Sequence, residues 1–251
     1  MPSRRRAVAV AAAVAAVPVM VVVVLVVEIQ LAQRAPTLDD RPLELGGRVG
    51  PAGPGPALRV AWLGDSTAAG VGASGPSGAL PVQVAEGLER PVELVVLAVS
   101  GARVADVVDD QLPALAAFEP EVVFVSVGAN DTVHFTSLRS FERRYRALVE
   151  GLPEGARVVL LGVPDMGSIP RLAQPLRTVA GWRGRQLDGV IQEVAAATGA
   201  AYVDIAGATG PAFRDDPDRF YAGDDYHPSD EGYRRWAEAV LHAVDSAMLV
   251  G

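Results

Sequence analysis

From Leu58 onward, apolar runs of strand length alternate with stretches of helical period. The runs are "LRVAWL" (58–63), "VELVVLAV" (92–99), "EVVFVSV" (121–127), "RVVLLGV" (157–163) and "AYVDI" (201–205). Their hydrophobicity is nearly continuous instead of alternating, which suits parallel strands covered on both faces. Helices are expected between them at about 77–90, 103–118, 137–151 and 171–198, with a last one over about 229–248. Pro113, Pro175 and several glycines can kink or end the second and fourth of these. This order predicts one three-layer α/β domain over residues 58–251, with a parallel five-stranded sheet between two layers of helices.

The N-terminal part has a different pattern. Residues 1–6 carry Arg4, Arg5 and Arg6, and Ala7 to Val27 is a run of 21 residues without a charge. As a helix it is long enough to cross a hydrocarbon core of about 30 Å. A cleaved signal peptide is the rival reading, but its apolar region is usually about 7–15 residues long and ends in small residues. Here Val27 leads into "EIQLAQRA". An uncleaved transmembrane anchor over 7–27 is therefore expected, with the arginines cytoplasmic and the remainder outside. Residues 28–57 then read as a linker, because proline and glycine crowd toward its end.

Composition narrows the chemistry. The chain of 251 residues has a net charge of −8, and residues 58–251 alone carry 16 arginines against 26 acids, which argues against nucleic-acid binding. Lysine and cysteine are both absent, so disulfides, thiolate catalysis and zinc-thiolate sites are excluded. No metal or organic cofactor is implied.

Ligands of open parallel sheets bind beyond the carboxyl ends of the strands. "GDS" (64–66) follows the first strand, Ser100 and Gly101 the second, "GAND" (128–131) the third, "PDMGSIP" (164–170) the fourth and "DDYHPS" (224–229) the fifth. Of the three histidines, His242 falls within the last helix, whereas His134 lies near the rim and is a candidate substrate contact. His227 precedes a helix that Ser229 can cap, and Asp224, three residues before it, can fold back onto the ring. Met166, Ile169 and Trp182 are candidates for an acyl pocket or, equally, for the core. The segment 211–226 either overhangs the cleft or is a surface loop tacked down by Phe213, Phe220 and Tyr221. Asp65 and Asp131 read as loop-organising carboxylates.

Taken together, the blocks GDS, Gly101, GAND and DDYHP resemble the four signature blocks of the SGNH, or GDSL-type, hydrolases over residues 58 to about 248. The resemblance implies a flavodoxin-like α/β/α sandwich. It makes Ser66 the nucleophile, His227 the base and Asp224 its partner, the spacing selecting Asp224 over Asp225. The implied oxyanion hole comprises the backbone N–H groups of Ser66 and Gly101 and the side-chain amide of Asn130. The expectation is a membrane-anchored, extracytoplasmic serine esterase acting on a short-acyl, lipid or acetylated-glycan ester. An acyltransferase using the same site and a catalytically silent envelope-binding protein are the alternatives.

Overall fold

The computed structural model describes residues 42–53 and 55–244, together with residues 20, 23–25, 27, 28, 30 and 38. Six strands form one sheet: β1 (Gly47–Val49), β2 (Leu58–Gly64), β3 (Val92–Val96), β4 (Val122–Ser126), β5 (Arg157–Leu161) and β6 (Ala201–Val203), in the order β1-β3-β2-β4-β5-β6. The five strands β2 to β6 are parallel, as expected. The sheet as a whole is mixed, because β1 pairs antiparallel to β3. That edge strand falls inside the segment expected to be linker; its three residues are too few to leave a periodic pattern among prolines and glycines.

The helices are α1 (Leu80–Gly87), a composite α2, α3 (Ala129–Val133), α4 (Leu138–Glu150), α5 (Leu176–Thr198), α6 (Ile205–Asp215), α7 (Pro217–Phe220) and α8 (Asp230–Ala243). In α2, a π-helical turn at Val107–Gln111 separates Val104–Asp106 from Leu112–Leu115. The segment 211–226 is not a long loop, since the end of α6 and all of α7 occupy much of it. Phe213 there stacks on Phe220 at 5.2 Å and meets Tyr221 edge-on at 5.1 Å, all three buried.

The core is densest where β2 and β4 lie side by side. Val60 to Leu63 and Val122 to Val125 are all at most 1% exposed, and Trp62 stacks on Phe124 at 4.4 Å. Burial of each large apolar side chain among them contributes about 1.5–3 kcal/mol, so these central strands are a main source of the frame's stability. Counted among the parallel strands alone, the order is 2-1-3-4-5, and its reversal of direction lies between β2 and β4. A crevice for ligands forms at such a point.

Among the described residues no helix is long and apolar enough to cross a membrane. The expected anchor over 7–27 lies largely outside those residues. Glu28, just after it, is buried, and its Oε2 accepts a hydrogen bond from the Leu176 N–H at 2.9 Å, at the start of α5.

Candidate active site

Ser66 opens the turn that leaves β2. Gly64, at φ 152°, lies so close to β4 that a Cβ there would stand 2.1 Å from the Ser126 carbonyl oxygen, so a larger residue would push the strands apart. Gln111 reaches in from the π-helical turn. Its Oε1 accepts from the Gly64 N–H and its Nε2 donates to the Gly64 carbonyl, both at 2.8 Å. A side-chain amide thus serves the end of β2 as a neighbouring strand would. Asp65 accepts at Oδ1 from the Thr67 N–H (3.0 Å) and hydroxyl (2.8 Å), which organises the turn as the sequence suggests. Burial pushes the Asp65 carboxyl up to about 6, against the pull of those two bonds and of His227.

His227, the expected base, comes from the loop between α7 and α8. Tyr221 and Pro228 pair across it in an antiparallel bridge, and the Ala222 N–H donates to the His227 carbonyl at 2.8 Å. Ser229 caps α8 by accepting from the Gly232 N–H at 3.2 Å. Gly72, at φ 99°, lets this loop close on the Ser66 turn, for a Cβ there would lie 2.3 Å from the Pro228 carbonyl oxygen and 3.0 Å from His227 Cβ. The closure aligns three side chains. His227 Nε2 is 3.0 Å from Ser66 Oγ, and Nδ1 is 2.7 Å from Asp224 Oδ2.

Asp224 is buried, and its Oδ1 accepts from the backbone N–H groups of Tyr226 and His227, each at 3.0 Å. Burial alone works to raise its pKa; the hydrogen bonds from His227 and Tyr226 and the charge of His227 outweigh that and hold it below the usual carboxylate range. Asp225, the alternative partner, is exposed and takes φ 56°. Arg171, which sequence reasoning missed, brings Nη1 to 3.7 Å from Asp224 Oδ2.

The other two expected oxyanion donors, Gly101 and Asn130, lie beyond two other strand ends. Asn130, in the first turn of α3, donates from Nδ2 to the Ala102 carbonyl at 3.1 Å, which ties it to the segment holding Gly101. That segment is fixed from the other side, where the Val99 N–H donates to the Gly64 carbonyl at 3.2 Å. Asp131 accepts from the Val104 N–H at 2.9 Å and so fastens α3 to α2. Among the described residues no protein acceptor takes the backbone N–H of Ser66 or of Gly101. Asn130 Nδ2 carries two protons and uses one on Ala102, so a second remains for a ligand.

A small pocket of about 30 Å³ adjoins Ser66, Asn130 and His227. Met166 and Ile169, both candidates from the sequence, line it together with Phe213, Tyr221, Tyr226 and Trp236. The other two candidates lie elsewhere. Trp182 is 55% exposed on α5 and does not line the pocket, because a residue following the right strand can still sit on the outer face of its helix. His134 is also exposed, with Nδ1 at 2.8 Å from the Asn130 carbonyl, and does not line it either. Among the described residues no cluster of three His, Asp or Glu side chains is placed to hold a metal ion.

The family model for the GDSL-like lipase/acylhydrolase family matches residues 62–235. The chain belongs to this family. A GDSL-like esterase of Mycobacterium tuberculosis is 30% identical over 193 residues, which cover 74% of this chain. The match spans only 61% of that relative's length. Among solved structures, a catalytic mutant of an acetylxylan esterase from Geobacillus stearothermophilus superposes with TM-score 0.57 at 23% identity, covering 74% of this chain and 94% of that one. The lipase/acylhydrolase of Enterococcus faecalis gives TM-score 0.58 at 21% identity, over 74% and 95% of the two chains. These structural likenesses establish the SGNH-like α/β fold. The matched range begins inside β2, just before the Gly64-Asp65-Ser66 turn at the reversal point of the sheet.

Proposed function

We propose that this member of the family is a serine esterase that cleaves short-acyl carboxylic esters. The observation that carries the reading is the continuous chain of hydrogen bonds from Ser66 Oγ through His227 to Asp224 beside a small apolar pocket. In this reading His227 Nε2 takes the Ser66 proton as Oγ attacks the carbonyl carbon. Asp224 keeps the Nδ1–H pointed toward itself and stabilises the imidazolium. The N–H groups of Ser66 and Gly101 and the Asn130 amide hydrogen-bond the oxyanion, where preorganised donors act most strongly. His227 then gives its proton to the departing alkoxide. Water, deprotonated by the same ring, attacks the acyl-enzyme; the carboxylic acid leaves and Ser66 recovers its proton.

Pocket size supports the choice of acyl group. A volume of about 30 Å³ takes on the order of two or three heavy atoms, the scale of an acetyl or propionyl group. Most of the surface it exposes is apolar, which favours an unsubstituted chain. The N-terminal run belongs to the proposal as an anchor that sets the enzyme on the outer side of a membrane; its support is 21 uncharged residues behind three arginines. An intact mass showing a mature chain that starts near residue 30 would contradict that part.

Turnover of p-nitrophenyl esters of increasing acyl length tests the rest. We expect kcat/KM to be highest for acetate and propionate and to fall at least about tenfold by octanoate, as overfilling a packed pocket costs on the order of 1–3 kcal/mol. Ser66→Ala abolishes turnover of all of them. A rate that rises toward octanoate refutes the short-acyl part, while full activity in Ser66→Ala refutes the serine.

A further inference from the structure

Asp224 Oδ2, the oxygen that receives the His227 ring, has a second neighbour in Arg171 Nη1 at 3.7 Å. The two side chains are only 9% and 2% exposed, so water screens their charges weakly. Arg171 grips the same loop in two further ways. Its backbone N–H donates to the Asp225 carbonyl at 3.0 Å, and its guanidinium lies 6.0 Å from the centre of the Tyr226 ring. The segment that carries Arg171 is itself braced, since Arg177 donates from Nε to the Leu172 carbonyl (2.6 Å) and from Nη2 to the Pro170 carbonyl (2.7 Å). A loop that follows β5 therefore holds the loop that presents the base.

We propose that Arg171 is a positioning residue for the Asp224–His227 pair, orienting the carboxylate toward the ring and offsetting part of its negative charge. This rests on the serine-esterase reading above. A carboxylate that keeps its full charge binds the imidazolium tightly and leaves the neutral ring a scarcer species. A cation placed beside the oxygen that holds the ring weakens that hold while the short hydrogen bond keeps the geometry. Other charged or titratable groups around the pair are few. Asp65, from the turn after β2, acts on the ring with negative charge when ionised. Tyr226 lies in the loop and Tyr233 on α8, and burial raises the pKa of both phenols so that they stay neutral. Arg171 thus sets a positive charge against Asp224, the nearer of the two carboxylates to the Nδ1 side of the ring.

The test is the pH profile of kcat/KM for p-nitrophenyl acetate with the full chain, in wild type, Arg171→Gln and Arg171→Lys. In Arg171→Gln the acid limb moves to higher pH by about half a unit or more, because the pair keeps its proton longer. The plateau falls about tenfold, mostly in kcat, as the carboxylate loses its lateral support. Arg171→Lys restores the charge, so the limb returns toward its wild-type position although the planar fork is lost. If Arg171→Gln does not fold, Arg171→Met, which keeps the packing of the stem, carries the same expectation. An acid limb that stays in place in the Gln or Met variant overturns the proposal. Fluorophosphonate labelling of wild type but not Ser66→Ala, run in parallel, separates that failure from failure of the esterase reading itself.

Discussion

The turn that carries Ser66 and the loop that carries His227 meet at 3.0 Å, yet the fold holds them by different means. The Ser66 turn grows out of one of the two central, buried strands of the sheet. Its backbone is bonded to β4 through Asp65 N–H and Ser126, and to the π-helical turn through Gln111. The His227 loop is organised mainly by contacts among near neighbours, the bridge of Tyr221 to Pro228 and the bonds of Asp224 to residues two and three positions on. Its ties to the rest of the molecule run mainly to the segment after β5, through Arg171 and through the Ser168 and Tyr221 hydroxyls at 2.6 Å, and to the contact at Gly72. Disturbing the first region should therefore cost stability together with activity, whereas disturbing the second should cost activity with less loss of fold.

Three substitutions sharpen that contrast. The largest effect is expected at the proposed oxyanion site: Asn130→Ala should lower kcat about 10²–10³-fold with little change in KM, since one preorganised donor is lost. An equal rise in KM would show that the amide binds the ground state instead. Gln111→Ala comes next. It leaves the Gly64 N–H without a partner in a buried place and its carbonyl with the Val99 N–H alone, and should lower the unfolding free energy by about 1–3 kcal/mol in urea titration, with activity falling as well. An unchanged midpoint would mean that the end of β2 does not need this bridge.

Asp65→Asn is the subtlest of the three and the exception in the first region, because there the buried charge itself costs stability. The Asp65 pKa is raised in the fold to about 6, from an ordinary 3.8, so its contribution to stability is fully present below the ordinary value and is lost as pH climbs through about 6. Asparagine can still accept from Thr67 but has no proton to lose. The variant should gain on the order of 1 kcal/mol over wild type at pH 7.5 and nothing at pH 4, as measured by thermal unfolding. The same gain at both pH values would show that charge is not the cause. Asp224 has the opposite sign, because its pKa is lowered in the fold; its contribution is lost as pH falls.

Both the frame and the core of the site were legible in the chain. The five parallel strands start within a residue of their apolar runs, because a doubly covered strand advertises itself by unbroken hydrophobicity. Ser66, Asn130, Asp224 and His227 were legible because each stands at a strand end or in a short local motif. Strand β1 and helices α6 and α7 were not, since three residues carry no period and the helical segment is interrupted by proline and acidic residues. Gln111 and Arg171 were also hidden. Their partners lie 47 and 53 residues away, and nothing local marks a glutamine or an arginine that will meet a distant backbone or carboxylate. Trp182 and His134 show the converse, for proximity to a strand end does not tell which way a side chain faces.

Intact-mass analysis after fluorophosphonate treatment tests the central claim most directly. The account predicts one covalent adduct on wild type, mapped by peptide fragmentation to Ser66, with none on Ser66→Ala and slow labelling in His227→Ala. An adduct retained in Ser66→Ala, or no adduct on folded wild type, would contradict it.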